Sequence, residues 1–142
     1  MLTASDYDLE RFMKAQSGTY TTAYEEIKQG RKRSHWMWFI FPQIKGLGYS
    51  EVSKHYAIAD LKEAELYLAD KTLGPRLLRI SLALLEVEGK SANEIFGSPD
   101  DMKLKSSMTL FSALKNTDSV FQNVLEAYFN GCKDDRTLQL IR

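Results

Sequence analysis

A chain of 142 residues, 44% hydrophobic and 27% charged, has the length and composition of one folded domain, able to bury roughly 68–70% of its unfolded surface. Nineteen basic residues balance nineteen acidic ones, which argues against a protein dedicated to wrapping nucleic acid, where phosphate neutralisation dominates. The longest apolar run, Trp36 to Phe41, is far short of the roughly 20 residues of a membrane span, the acidic start from Met1 to Glu10 does not read as a secretory leader, and a single cysteine, Cys132, makes no internal disulfide; a cytoplasmic setting is the expectation.

Leucine outnumbers valine 18 to 4, and leucine keeps its rotamer freedom in a helix where β-branched valine does not. Apolar spacing predicts a first helix from Tyr7 to Gln16, with Leu9, Phe12 and Met13 on one face, started by Ser5 with Asp8 and stopped near Gly18. A second runs from Thr22 to Gln29, opened by Thr22 with Glu25 and closed by Gly30. The stretch Trp36 to Phe41 has no readable period; it is a short buried helix or an extended segment, ended by Pro42, and no second β-like run exists to pair with it. A short helix follows Ser50. Asp60 with Glu63 opens a helix from Leu61 to Ala69, and Leu73 to Glu88 is the longest, with Pro75 harmless in its first turn. Ser91 with Glu94 caps a turn from Ala92 to Phe96, Ser98-Pro99-Asp100-Asp101 leads into a helix up to Leu114, Ser119 to Asn130 is amphipathic, and Thr137 to Ile141 adds a last turn. The expectation is a mainly α, compact single domain over residues 1–142, with about six to eight helices and no substantial sheet.

The candidate site centres on His35-Trp36-Met37-Trp38-Phe39-Ile40-Phe41-Pro42-Gln43, which holds both tryptophans. Aromatics that dense dominate whatever core or pocket they line. From Lys28 to Lys54 there are six basic residues and one acid, Glu51, so this window carries +5 in a neutral chain. Arg31 and Lys32 could neutralise an anion, although cations after a helix C-terminus also simply complement its dipole. Lys45-Gly46-Leu47-Gly48-Tyr49-Ser50 could bring backbone N–H groups to an anion, or Gly46 and Gly48 make turns. One of Trp36 and Trp38 could stack on a ring. His35 is a hydrogen-bonded core residue or a general base, and Gln43 reads a polar edge or satisfies the loop. Lys103, Ser106 and Ser107 belong either to a tight helix–helix contact or to the same site.

No nucleophile elbow surrounds any serine. His35, His55 and Cys132 lack metal-ligand spacing, and the glycine loop is neither a Walker A nor a dinucleotide motif. No cofactor or metal is expected.

Asp8-Leu9-Glu10-Arg11-Phe12 with Ala15-Gln16, Gly30-Arg31-Lys32, the run from His35 to Gln43, and Gly46-Leu47-Gly48 resemble the bacterial family catalogued as domain of unknown function 1810. Ser50, Tyr56, Glu63-Ala64, Tyr67-Leu68, Leu73-Gly74-Pro75-Arg76-Leu77 and Lys103 to Phe111 continue the match, which covers nearly the whole chain. The resemblance implies a compact helical domain and no established activity. The label calpastatin sometimes given to this family does not suit a folded chain, since calpastatin-type inhibitors are disordered repeats.

Three functions are compatible with these residues. The first is binding of a small anionic, nucleotide-like ligand beside the aromatic run. The second is an enzyme acting on such a ligand with His35 as base. The third is a regulator that binds nucleic acid or protein through the basic window, although charge balance disfavours nucleic acid.

Overall fold

The computed structural model describes residues 7–142. Among them are ten helices: α1 (Glu10–Gln16), α2 (Tyr20–Lys28), α3 (Met37–Ile40), α4 (Glu51–Tyr56), α5 (Leu61–Ala69), α6 (Leu73–Glu86), α7 (Ala92–Phe96), α8 (Asp100–Ser112), α9 (Val120–Phe129) and α10 (Asp135–Leu140). The number exceeds the expected six to eight because α3, α4, α7 and α10 have only four to six residues each. Elements of one turn or slightly more carry no apolar repeat, and only their caps or neighbours mark them.

Caps place several of these helices as expected. The Asp60 side chain accepts from the Glu63 N–H to open α5, and Ser91 with Glu94 forms a complete capping box at α7. The Thr22–Glu25 pair does not open α2, which begins at Tyr20 behind Thr19 with no side-chain cap. The added turn places Tyr20 and Tyr24 one above the other at i,i+4 spacing, their rings 6.2 Å apart, and the Tyr20 hydroxyl donates to the Arg76 carbonyl in α6. A tertiary contact thus overrides a local cap. The expected Ser5 cap lies outside the described residues.

Helix α6, the longest, is the hub, packing against α2, α5 and α9. Leu73, Leu77, Ile80 and Leu84 are buried along its inner stripe. Helix α8 covers the other side, touching α5, α7, α9 and α10, while α3 rests on α1 and α4. A chain of ring contacts runs through the interior, from Phe39 to Tyr56, Phe12, Tyr67, Phe111 and Phe121, with successive centroids 5.1–6.0 Å apart. Gln16 is buried among these rings and fully used: its amide N–H groups donate to the Phe39 carbonyl and the Tyr67 hydroxyl, and its oxygen accepts from Arg76.

The aromatic run resolves into one turn of helix. Met37–Ile40 is helical, and Phe41 leaves the helix at φ −124°, ψ 74°, as the proline after it requires. No strand occurs among the described residues. A single parallel bridge joins Ile44 to Ile58, with Ile58 N–H donating to the Gln43 carbonyl and Lys45 N–H to the Ile58 carbonyl, both at 2.8 Å. Nearby, Arg11 pairs two-pronged with the buried Glu63 carboxylate (2.9 and 3.3 Å) and donates to the carbonyls of His55 and Ala57. One guanidinium therefore fastens α1 to the segment joining α4 and α5.

The α5–α6 crossing depends on Gly74. A Cβ built there would lie 2.1 Å from the Leu68 carbonyl oxygen. Backbone cannot yield as a side chain would, so Gly74→Ala is expected to destabilise the protein by about 2 kcal/mol or more. Urea unfolding checks this; an unchanged midpoint would mean that the two helices separate freely.

Candidate functional site

The loop after α2 is organised by one carboxylate. Glu26, buried on α2, accepts from the backbone N–H of Arg33 (2.7 Å), the backbone N–H and hydroxyl of Ser34, and the Trp36 indole N–H (2.9 Å). Burial by itself pushes this carboxyl upward. The bonds from the Ser34 hydroxyl, the Arg33 amide, the Trp36 indole and the Ser34 amide outweigh burial and hold it at about 2. The indole of Trp36 is thereby fixed, fully enclosed, against Phe41 and Phe96.

A second carboxylate positions both tryptophans from outside. Asp100 at the start of α8 pairs with Lys32 (3.0 Å) and Lys103 (3.3 Å). The Lys32 ammonium lies 5.0 Å from the Trp36 ring centre, and that of Lys103 lies 5.1 Å from the Trp38 ring centre. Each tryptophan thus carries a cation on its face, at favourable cation–π range.

Between α3, α4 and the loop joining them is a cleft of about 500 Å³. Trp38, half-buried, and Tyr56 supply aromatic wall, Gln43 an amide, Ser53 a hydroxyl, and Lys45 and Lys54 two ammonium groups. No carboxylate lines it. Gly46 and Gly48 form part of its floor; Gly46 has φ +109°, and a Cβ on Gly48 would lie 2.4 Å from that of Ser53. A second hollow of about 340 Å³ adjoins the first, sharing Gln43, Gly48 and Ser53 and continuing to Lys103, Ser106, Met102 and Arg136.

Trp38, Gln43, Lys45, Gly46, Gly48, Lys103 and Ser106 therefore come together around two adjoining hollows. Arg31, Lys32, His35, Trp36, Ser50 and Ser107 line neither. Lys32 is engaged by Asp100, and Ser50 caps α4 by accepting from the Ser53 N–H. His35 is exposed and outside the core. Ser107 is fully buried, and its hydroxyl has no partner among the described residues. The other α8 hydroxyls donate to their own helix, Ser106 to the Met102 carbonyl and Thr109 to that of Lys105.

Lys54, Ser53 and Tyr56 were not singled out as site residues from the sequence. The available signal was α4 itself, a helix with no buried residue, and such an element frames a surface feature rather than filling a core. Among the described residues no cluster of three or more His, Cys, Asp or Glu could hold a metal ion, and no helix is long and apolar enough to cross a membrane.

The fold and cleft define a mainly helical single domain with an aromatic, cationic cleft. The chain belongs to the DUF1810 family, described as "Protein of unknown function", whose model matches residues 6–141. It is similar to a protein of known structure, the conserved hypothetical protein Rv1873 from Mycobacterium tuberculosis, at 46% identity and a TM-score of 0.94, over 96% of this chain and 97% of that one. No curated protein matches the chain.

Glu26 makes a pH-dependent contribution with a definite sign. Its carboxyl sits at about 2 in the folded chain against 4.5 ordinarily, so its anion stabilises the fold by about 3 kcal/mol above pH 4.5 and progressively less towards pH 2. Glu26→Gln keeps an acceptor for the three N–H donors but removes the titration. Unfolding free energy in Glu26→Gln is expected to change less between pH 4.5 and 2 than in the wild type; parallel pH profiles would exclude Glu26 as the source.

Proposed function

We propose that this protein binds a small ring-bearing anion, such as a nucleotide, in the cleft between α3 and α4. The observation that carries this reading is the meeting of the Trp38 and Tyr56 rings with two ammonium groups, Lys45 and Lys54, in a hollow that no carboxylate lines. Neither lysine makes an ion pair with any described residue. Unpaired ammonium groups favour an anionic group, and indole or phenol faces favour a flat ring. Gln43 and Ser53 add donors and acceptors able to orient the ligand. The volume, about 500 Å³, lies within the 300–1,000 Å³ usual for small-molecule sites.

A general-base role for His35 has less support, because that imidazole lies outside the cleft. A basic nucleic-acid surface has less support as well, since Lys32 is held by Asp100 while Lys45 and Lys54 face a concave hollow.

Trp38 is a built-in reporter, since the other tryptophan, Trp36, is fully enclosed. Adenosine and uridine 5′-monophosphates are expected to change Trp38 fluorescence saturably, with the neutral nucleosides binding more weakly. The double change Lys45→Ala with Lys54→Ala should weaken the monophosphates about tenfold or more, the scale of a lost charge-assisted contact. Arg31→Ala should leave the titration unchanged. No saturable signal with either monophosphate, or equal affinity for nucleoside and monophosphate, would overturn the reading.

A further inference from the structure

The second hollow gives the ligand a longer outline than one anion and one ring. The two hollows meet at Gln43, Gly48 and Ser53. At that junction Gly48 packs directly against Ser53, and only a glycine fits: a Cβ there would run into the Cβ and hydroxyl of Ser53 at 2.4 and 2.7 Å. A further link is the Trp38–Lys103 contact: Trp38 lines the first hollow, and Lys103, whose ammonium lies over that ring, lines the second.

Charge is arranged at both ends. Lys45 and Lys54 occupy the first hollow and Lys103 and Arg136 the second, against a single lining acid, Asp134. In a chain whose formal charge is zero, that is a local concentration of cations with a hollow between them. Lys103 is partly neutralised by Asp100. Arg136 is exposed on α10 and makes no ion pair with any described residue. Asp134 opens α10, one of its oxygens accepting from both the N–H and the hydroxyl of Thr137, and its single charge stands against the two cations Lys103 and Arg136 in the same hollow. Ser106 spends its proton on the Met102 carbonyl, so its oxygen faces the hollow as an acceptor.

The geometry points to a ligand with two separated anionic groups flanking its ring, one held by Lys45 and Lys54 and the other by Arg136, reaching over the Gln43, Gly48 and Ser53 lining that the two hollows share. This rests on the reading of the first cleft as an anion site and adds a second pole to it. Arg136 can meet a phosphate or carboxylate in two-pronged fashion, which a lysine cannot.

Matched nucleotides that differ by one phosphate test this. Adenosine and uridine 5′-monophosphates are titrated against the corresponding 3′,5′-bisphosphates, following Trp38 fluorescence, with wild type, Arg136→Ala and Arg136→Lys. The wild type is expected to bind at least one bisphosphate about tenfold more tightly than its monophosphate, Arg136→Ala to erase that preference, and Arg136→Lys to retain part of it. A monophosphate that binds with no bisphosphate preference overturns the second pole and leaves the first cleft standing. A preference that survives Arg136→Ala overturns the assignment to Arg136. Failure of every nucleotide to bind overturns both the cleft reading and its extension.

Discussion

The Glu26 carboxylate receives four hydrogen bonds from three residues of the loop that follows its own helix, and the course of the chain from Arg33 to Trp36 is set by it. A buried anion is tolerable only when its lone pairs are filled by donors. Here the donors include the indole of Trp36, so the charge requirement of one side chain sets the orientation of the largest ring in the core. With Trp36 held, the chain enters α3 at a fixed angle, Met37 and Ile40 go inward, and Trp38, lying between them in sequence, is left half outside. The cleft wall follows from the burial of its neighbour.

Asp100 extends the same logic to the far side. It bridges two lysines that each cover a tryptophan face, so the start of α8 is tied to the N-terminal side of α3, through Trp36 just before it and Trp38 within it. Arg11 with Glu63 and Gln16 with Tyr67 tie α1 to α5 and to α3 in a comparable way. These polar groups sit where the short helices α1 and α3 meet longer ones. Such short helices cannot hold themselves together by internal hydrogen bonding, and the side-chain bonds fix their relative angles.

The long helices were legible because their stripes repeat. Leu73, Leu77, Ile80 and Leu84 could be read directly as the face of α6, and Asp60 and Ser91 announced α5 and α7 by their caps. The start of α2 was not legible, since the Tyr20 contact with α6 arises between segments 56 residues apart. The site divides in the same way. The tryptophans and the Lys45 loop stand out as composition, but which indole faces solvent depends on Glu26, and no local pattern records that a carboxylate ten residues earlier will take one indole and leave the other. Lys103 and Ser106 could be noticed as polar groups in an apolar helix. Their meeting with Gln43 and Arg136 belongs to tertiary structure alone.

The bridge between Ile44 and Ile58 fastens the two ends of the segment that carries α4 and most of the cleft's polar groups. Both isoleucines are buried, whereas α4 between them has no buried residue and meets the core only through the half-buried Tyr56, against Phe12 and Phe39. The segment therefore behaves as a handle clamped at its base. The cost of closing such a loop grows only slowly with its length, so added length between residues 46 and 54 costs the helical body little, provided that the Tyr56 ring and the His55 and Ala57 carbonyls stay where Phe12 and Arg11 meet them.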